Sequence, residues 1–195
     1  AFGARTAVND ADGNLTSIAN NLFTAKWDAE NRLTEFTRDG ENGLETVKYT
    51  YDAAGLRVKR QIVGGATTHY HYGPGGLLLF TTDDAGTVTA SFVWSGRALI
   101  AMILGDSLST QVAYPLLNRL GSVTALTDAS GNVVARYSYD SYGTLLRETI
   151  PPGGIDLNPF TFAGGYGVMD EGEGLYYMKE RFYFAKSGRF LQRDP

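Results

Sequence analysis

The 195-residue sequence contains no cysteine. That excludes disulfides, thiolate-bound metals and a cysteine nucleophile, and leaves the redox compartment open. An excess of one charge is also missing: 17 Lys and Arg against 21 Asp and Glu give a formal charge of −4, with the basic residues scattered. Proteins that track a phosphate backbone carry a basic patch, so nucleic acid is not expected as a partner. Long apolar runs are absent. The longest, residues 98–104 (ALIAMIL), has seven residues, against roughly 20 for a bilayer-spanning helix. No membrane span is expected. The opening AFGARTAVND has neither the basic start nor the apolar stretch of a secretory leader, and it reads as the interior of a longer polypeptide, so the chain is expected to be a fragment.

Proline is scarce as well, at 6, whereas Gly (24), Tyr (12) and Phe (10) are plentiful. Frequent turn residues with strand-favouring aromatics predict an all-β chain. At this length one sizeable domain is expected, burying roughly 70% of the surface its unfolded form exposes.

A repeat gives the composition its mechanism. Asp-x-x-Gly recurs as Asp10-Ala-Asp-Gly13, Asp52-Ala-Ala-Gly55, Asp83-Asp-Ala-Gly86, Asp128-Ala-Ser-Gly131 and Asp140-Ser-Tyr-Gly143, with Asp28-Ala-Glu-Asn31 as an Asn variant and a degenerate copy at residues 70–76 (YHYGPGG). Each is expected to be a turn, because the Asp carboxylate accepts backbone N–H groups further on and Gly or Asn tolerates positive φ. Alternating segments run into several of these turns, so the flanks predict strands. In YTYD and YSYD, Tyr49 with Tyr51 and Tyr137 with Tyr139 share a face, which predicts an aromatic ladder across successive hairpins. Hairpins of this kind rely on neighbours and leave exposed edges.

These turns, and above all residues 119–146 (RLGSVTALTDASGNVVARYSYDSYGTLL), resemble the YD-repeat or Rhs proteins. Residues 158–195 are similar to the family's Rhs-associated core. The sequence therefore divides into divergent YD hairpins over 1–118 and a core segment over 119–195. The resemblance implies a spiral β-hairpin sheet, part of a hollow shell, with a C-terminal core or plug segment. It also implies a toxin-like polypeptide cargo or further shell repeats as partners, and a secreted or cell-surface bacterial location. Bacterial relatives cut the chain behind the core with two aspartates in Asp-Pro motifs, a pair able to supply acid and base together. Here Phe184, in Phe182-Tyr-Phe184-Ala185, stands at the first of those positions. Asp194, in Asp194-Pro195, is the one candidate catalyst, and self-cleavage is not expected.

Other motifs carry simpler readings. Residues 105–108 (GDSL) copy an esterase block, but both histidines precede it, so chance explains it. His69 and His71 share a strand face without an obvious third metal ligand. Asp10 to Asn14 opens like a calcium loop but has Leu15 where Gly is required and no Glu at the twelfth position, and the NLT at Asn14 carries no role in a bacterial protein. Asp170, Glu171 and Glu173 are expected in a solvated loop, and the 98–104 run on the inward face. No cofactor or metal is expected. The leading functional reading is an encapsulation module. Its rivals are an adhesion or assembly scaffold joined through sheet edges, and a self-processing aspartyl peptidase.

Overall fold

In the computed structural model, which describes residues 7–18, 23–40, 43–106, 109–155 and 158–194, the repeated turns close by one set of hydrogen bonds. At Asp52, Oδ1 accepts the N–H groups of Ala54 (2.9 Å) and Leu56 (2.9 Å), and Gly55 N–H donates to the Asp52 carbonyl at 3.1 Å. Asp10, Asp28, Asp83, Asp128 and Asp140 make the same bonds. The fourth position takes positive φ: 88° at Gly13, 82° at Gly55, 82° at Gly86, 83° at Gly131 and 61° at Asn31. At Gly143 (φ 93°) a Cβ would also stand 2.6 Å from the Phe162 ring, so that turn admits only glycine. A further copy, Asn118-Arg-Leu-Gly121, escapes the acidic pattern, because an amide oxygen accepts the N–H groups of Leu120 and Ser122 equally well.

Among the described residues the first sheet has fourteen strands: β1 (Ala7–Asn9), β2 (Leu15–Ile18), β3 (Phe23–Trp27), β4 (Leu33–Gly40), β5 (Gly43–Tyr51), β6 (Arg57–Ile62) and β7 (Thr67–Tyr72). There follow β8 (Leu78–Thr82), β9 (Val88–Ser95), β10 (Ala98–Asp106), β11 (Ser109–Leu117), β12 (Val123–Thr127), β13 (Val133–Tyr139) and β14 (Leu145–Thr149). All pair antiparallel with their sequence neighbours in one sheet, the wall. A second sheet of β15 (Met169–Asp170), β16 (Leu175–Met178), β17 (Arg181–Phe184) and β18 (Arg189–Phe190) belongs to a C-terminal plug. Residues 118 and 119 both lie in the Asn118 turn inside the continuous wall, and pairing between the two sheets breaks after Thr149.

The turns also bend the wall. Beside the Asp52 turn the register steps from Thr50↔Lys59 to Tyr51↔Arg57, leaving Val58 as an extra residue, and the other turns of this type carry the same bulge. Bulges bend a strand and increase its twist. The bend is large. On a flat sheet β3 and β13 would stand about 48 Å apart, yet neighbouring plug residues reach both ends: Phe184 packs on Phe23 of β3 (ring centroids 5.2 Å), and Tyr183 donates to the Tyr142 carbonyl beyond β13 (2.9 Å). The wall therefore curls around the plug, and one core joins Phe23, Phe36, Phe92 and Val123 of the wall to Phe160, Leu175, Tyr177 and Phe182 of the plug.

Aromatic side chains fasten hairpin to hairpin, by hydrogen bonding in place of the ring-on-ring ladder expected from sequence. Tyr51 donates to the Leu33 carbonyl (2.7 Å) and Tyr139 to the Val123 carbonyl (2.7 Å). Trp27, Tyr72 and Trp94 do the same to Leu15, Arg57 and Leu78. Tyr49 and Tyr137 are buried in the core; Tyr49 packs on Phe182 at 5.1 Å.

The apolar run at 98–104 is not all inward. Leu99, Met102 and Leu104 are buried, while Ile100 (46% exposed) and Ile103 (37%) face out, because the strand alternates around a bulge at Ile100.

Tyr51→Phe is expected to cost about 1 kcal/mol by losing one hydrogen bond. Asn118→Ala is expected to cost about 1–2 kcal/mol while Asn118→Asp stays within about 0.5 kcal/mol. Urea denaturation measures all three.

Candidate functional site

The Val58 bulge determines what β6 presents to the interior. In a regular strand residues 57 and 60 would point to opposite faces. The extra residue instead puts Arg57 opposite Tyr51 and Arg60 opposite Tyr49, so both arginines face inward. Arg57 is fully buried, at 0% exposure. Its guanidinium lies against three rings, 4.2 Å from the centroid of Tyr177, 4.5 Å from Tyr70 and 5.3 Å from Tyr49. Ring faces of this kind attract a desolvated cation.

The counter-charge comes from the plug. Arg57 Nη1 donates to Glu171 Oε1, and Nη2 lies 3.1 Å from Met169 Sδ. Glu171 Oε2 accepts Arg60 Nε at 2.9 Å and the Tyr49 hydroxyl at 3.2 Å. The Glu171 side chain is 1% exposed, so the expectation of a solvated acidic loop is corrected at this residue. The sequence hides the ion pair because its partners lie 111 to 122 positions upstream.

Asp170 is largely buried too. Its Oδ2 accepts Thr161 Oγ1 at 2.5 Å and its Oδ1 the Gly172 N–H at 2.8 Å. The Thr161 carbonyl accepts the Val123 N–H of β12 at 2.9 Å. Residues 170–171 thus tie the plug to β5 and β6 through Glu171 and, by way of Thr161, to β12. Arg38 of β4 adds a third tie, donating to the Gly172 carbonyl (2.8 Å) while paired with Glu45. Glu173 keeps the surface role expected of the cluster, paired with Lys186 at 2.5 Å.

Burial alone would raise the Glu171 pKa, but Arg57 and Arg60 outweigh it and hold the carboxyl below its ordinary value. Burial pushes Tyr70 up to about 12, against the pull of Arg57. Asp170 moves the other way from its neighbour: burial raises it, and the bonds from Thr161 and Gly172 only partly offset that. At neutral pH the centre therefore holds two permanent cations around one carboxylate whose two oxygens are both engaged. Such a group fastens; it has no proton in play for catalysis.

The remaining candidates lie elsewhere. The Asp194 side chain is 81% exposed and pairs with Arg181 at 2.8 Å. Phe184 is buried edge-on against Phe23. His69 pairs with Asp84 (2.8 Å), and His71 stacks on Phe80 and contacts Thr82 (3.1 Å). Asn14 is buried in the Asp10 turn and donates to Asp10 and Asn31. Ser107 and Leu108 of the GDSL stretch, and Pro195, lie outside the described residues.

Comparison with known proteins agrees with the geometry. A family model described as the teneurin YD-shell matches residues 10–195. The tRNA nuclease WapA of Bacillus subtilis (strain 168) is 32% identical over 186 residues, which are 95% of this chain and 8% of that protein. Toxin protein Tse5 of Pseudomonas aeruginosa is 24% identical over 217 residues, covering 95% of this chain and 16% of that protein. Among solved structures, the TcdB2-TccC3-Cdc42 crystal structure superposes with a TM-score of 0.74 at 22% identity, over 96% of this chain and 10% of that one. The chain thus spans less than a fifth of the length of each.

Removing the Glu171 charge leaves the buried Arg57 and the partly buried Arg60 facing no anion. Glu171→Gln is expected to cost about 3–5 kcal/mol at neutral pH in chemical denaturation. Because the folded pKa of Glu171 lies below its unfolded value, its contribution is present above the unfolded value and is lost as pH falls through the folded one. The gap between wild type and variant therefore closes in acid. For Asp170, whose folded pKa is raised, the contribution is present below the unfolded value and fades as pH rises through the folded one.

Proposed function

The chain belongs to the teneurin YD-shell family, and from that membership we propose that it forms an arc of an encapsulating β-shell that encloses a toxin-like polypeptide. The fold is that of a YD shell. The observation that carries the enclosing role is the buried Arg57–Glu171–Arg60 centre, which locks an inner plug to the concave face of a curled wall. A curled wall with an anchored plug supports that reading, because one arc of an enclosure needs an inner face held in fixed curvature. That relatives of this chain are named as a tRNA nuclease and a toxin supports a toxin-like cargo. By the same reading the protein acts outside the cell or at its surface.

A sheet-edge assembly role draws support from one feature, the exposed outer strand β14, where Leu146 is 65% exposed. It remains the second reading, because strand edges are also where a shell takes further repeats.

Limited proteolysis of the polypeptide that the gene encodes, read by mass spectrometry, tests enclosure. Cargo sequence should survive protease as long as the wall does, and should become cleavable in the Glu171→Gln variant. Cutting of cargo at the same rate with and without an intact wall would remove the proposal. Asp194→Asn is expected to leave the cleavage pattern of the polypeptide unchanged in mass spectrometry, since by the family resemblance Phe184 stands where the first aspartate of the pair would be.

A further inference from the structure

Beside the buried centre, on the inner face of the wall, lies a cleft of ≈ 520 Å³ between strands β4 to β10 and plug residues 158–159 and 169–172. Its floor is apolar, formed by Leu78, Phe92 and Leu104. Its polar lining sets the donors of Arg60, Tyr70 and Asn158 beside the Thr68, Thr81 and Thr89 hydroxyls and the Asp170 and Glu171 carboxylates, and Thr81 is bonded to Thr89 at 2.8 Å. Arg60 uses Nε alone on Glu171, and its terminal nitrogens make no hydrogen bond among the described residues. The Tyr70 hydroxyl makes none there either, and the Asn158 Nδ2 group is buried without a partner. Asn158 Oδ1 is already engaged, accepting the Phe160 N–H at 3.0 Å.

Both carboxylates that line the cleft are engaged. Glu171 accepts from Arg57, Arg60 and Tyr49, and Asp170 from Thr161 and Gly172. Arg38 is satisfied by Glu45 and the Gly172 carbonyl. Arg38, Arg57 and Arg60 face Glu45, Asp170 and Glu171, three charges of each sign, and the unengaged terminal nitrogens of Arg60 are the charged donors still lacking an acceptor. A buried donor such as Asn158 Nδ2 is costly without a partner, and the free nitrogens of a guanidinium pair best with a charged acceptor.

We propose that this cleft seats an acidic side chain, Asp or Glu, of an enclosed polypeptide, with its carboxylate on Arg60, Tyr70 and Asn158 and the flanking chain over Leu78, Phe92 and Leu104. The proposal rests on the encapsulation reading and adds to it a docking point and a sequence preference. A volume of this size holds a residue or two of an extended chain and excludes a folded domain.

The test uses a fluorescently labelled Gly/Ser nonapeptide with one central Glu, and its Gln and Lys counterparts, titrated with the 195-residue protein. The Glu peptide should bind saturably, and the Gln peptide about tenfold more weakly, the difference between a charged and a neutral acceptor. Tyr70→Phe, which deletes one hydroxyl and keeps the ring against Arg57, should weaken the Glu peptide about fivefold. Asn158→Asp, which keeps the acceptor for Phe160 and replaces the donor by a second carboxylate, should abolish binding. Equal affinity for Glu and Gln, or no response to either variant, overturns the proposal. Displacement of the peptide by free glutamate at a concentration near the peptide's own Kd would show a small-anion site and also overturn it. Absence of peptide binding while cargo stays shielded from protease would sink the docking point and leave enclosure standing, so the two failures are distinguishable.

Discussion

A carboxylate held away from water must be matched by cations and hydrogen bonds, and the architecture is organised around that demand at Glu171. The residue arrives from the plug; its partners, Tyr49, Arg57 and Arg60, arrive from two adjacent wall strands. Desolvating three charged groups is expensive, and their mutual attraction repays it only with good geometry. Three tyrosine rings around Arg57 supply part of that geometry and exclude solvent. Pairing of this kind contributes less net stability than an apolar core of equal volume would. It contributes uniqueness of fit, because a plug shifted along the wall leaves an uncompensated charge at each end of the error.

That fit needs a wall of the right curvature, which is written locally. Each Asp turn brings its own bulge, and each bulge its own twist. The same bulge at Val58 restores Arg57 and Arg60 to one face. Turn chemistry, sheet curvature and the charged anchor are therefore consequences of a single local choice at residues 52–58.

This explains what could be read from the chain and what could not. The acidic turns act over four residues, so Asp10, Asp28, Asp52, Asp83, Asp128 and Asp140 are visible to inspection. Asn118 is not, because the pattern sought a carboxylate where the chemistry asks only for an oxygen. Tyr51 and Tyr139 stand out as repeats, yet the signal shared with Trp27 and Tyr72 is position: an aromatic immediately before the turn. Arg57 and Arg60 defeat a period-two reading because the parity changes between them. Glu171, set among glycines, looks like a surface residue, and nothing nearby in sequence announces two arginines more than 110 positions away.

The hydrogen bonds of Trp27, Tyr51, Tyr72, Trp94 and Tyr139 have a direction: in all five the acceptor lies upstream of the donor. A chain growing from its N-terminus therefore meets each acceptor already made, and the hairpins can be laid down in order of synthesis. The donors that meet the plug run the other way: Arg38, Tyr49, Arg57 and Arg60 wait for acceptors at residues 171 and 172, translated 111 to 134 residues later. Until then the Arg57 guanidinium keeps its water, and the curled wall must stay open to the plug that will neutralise it.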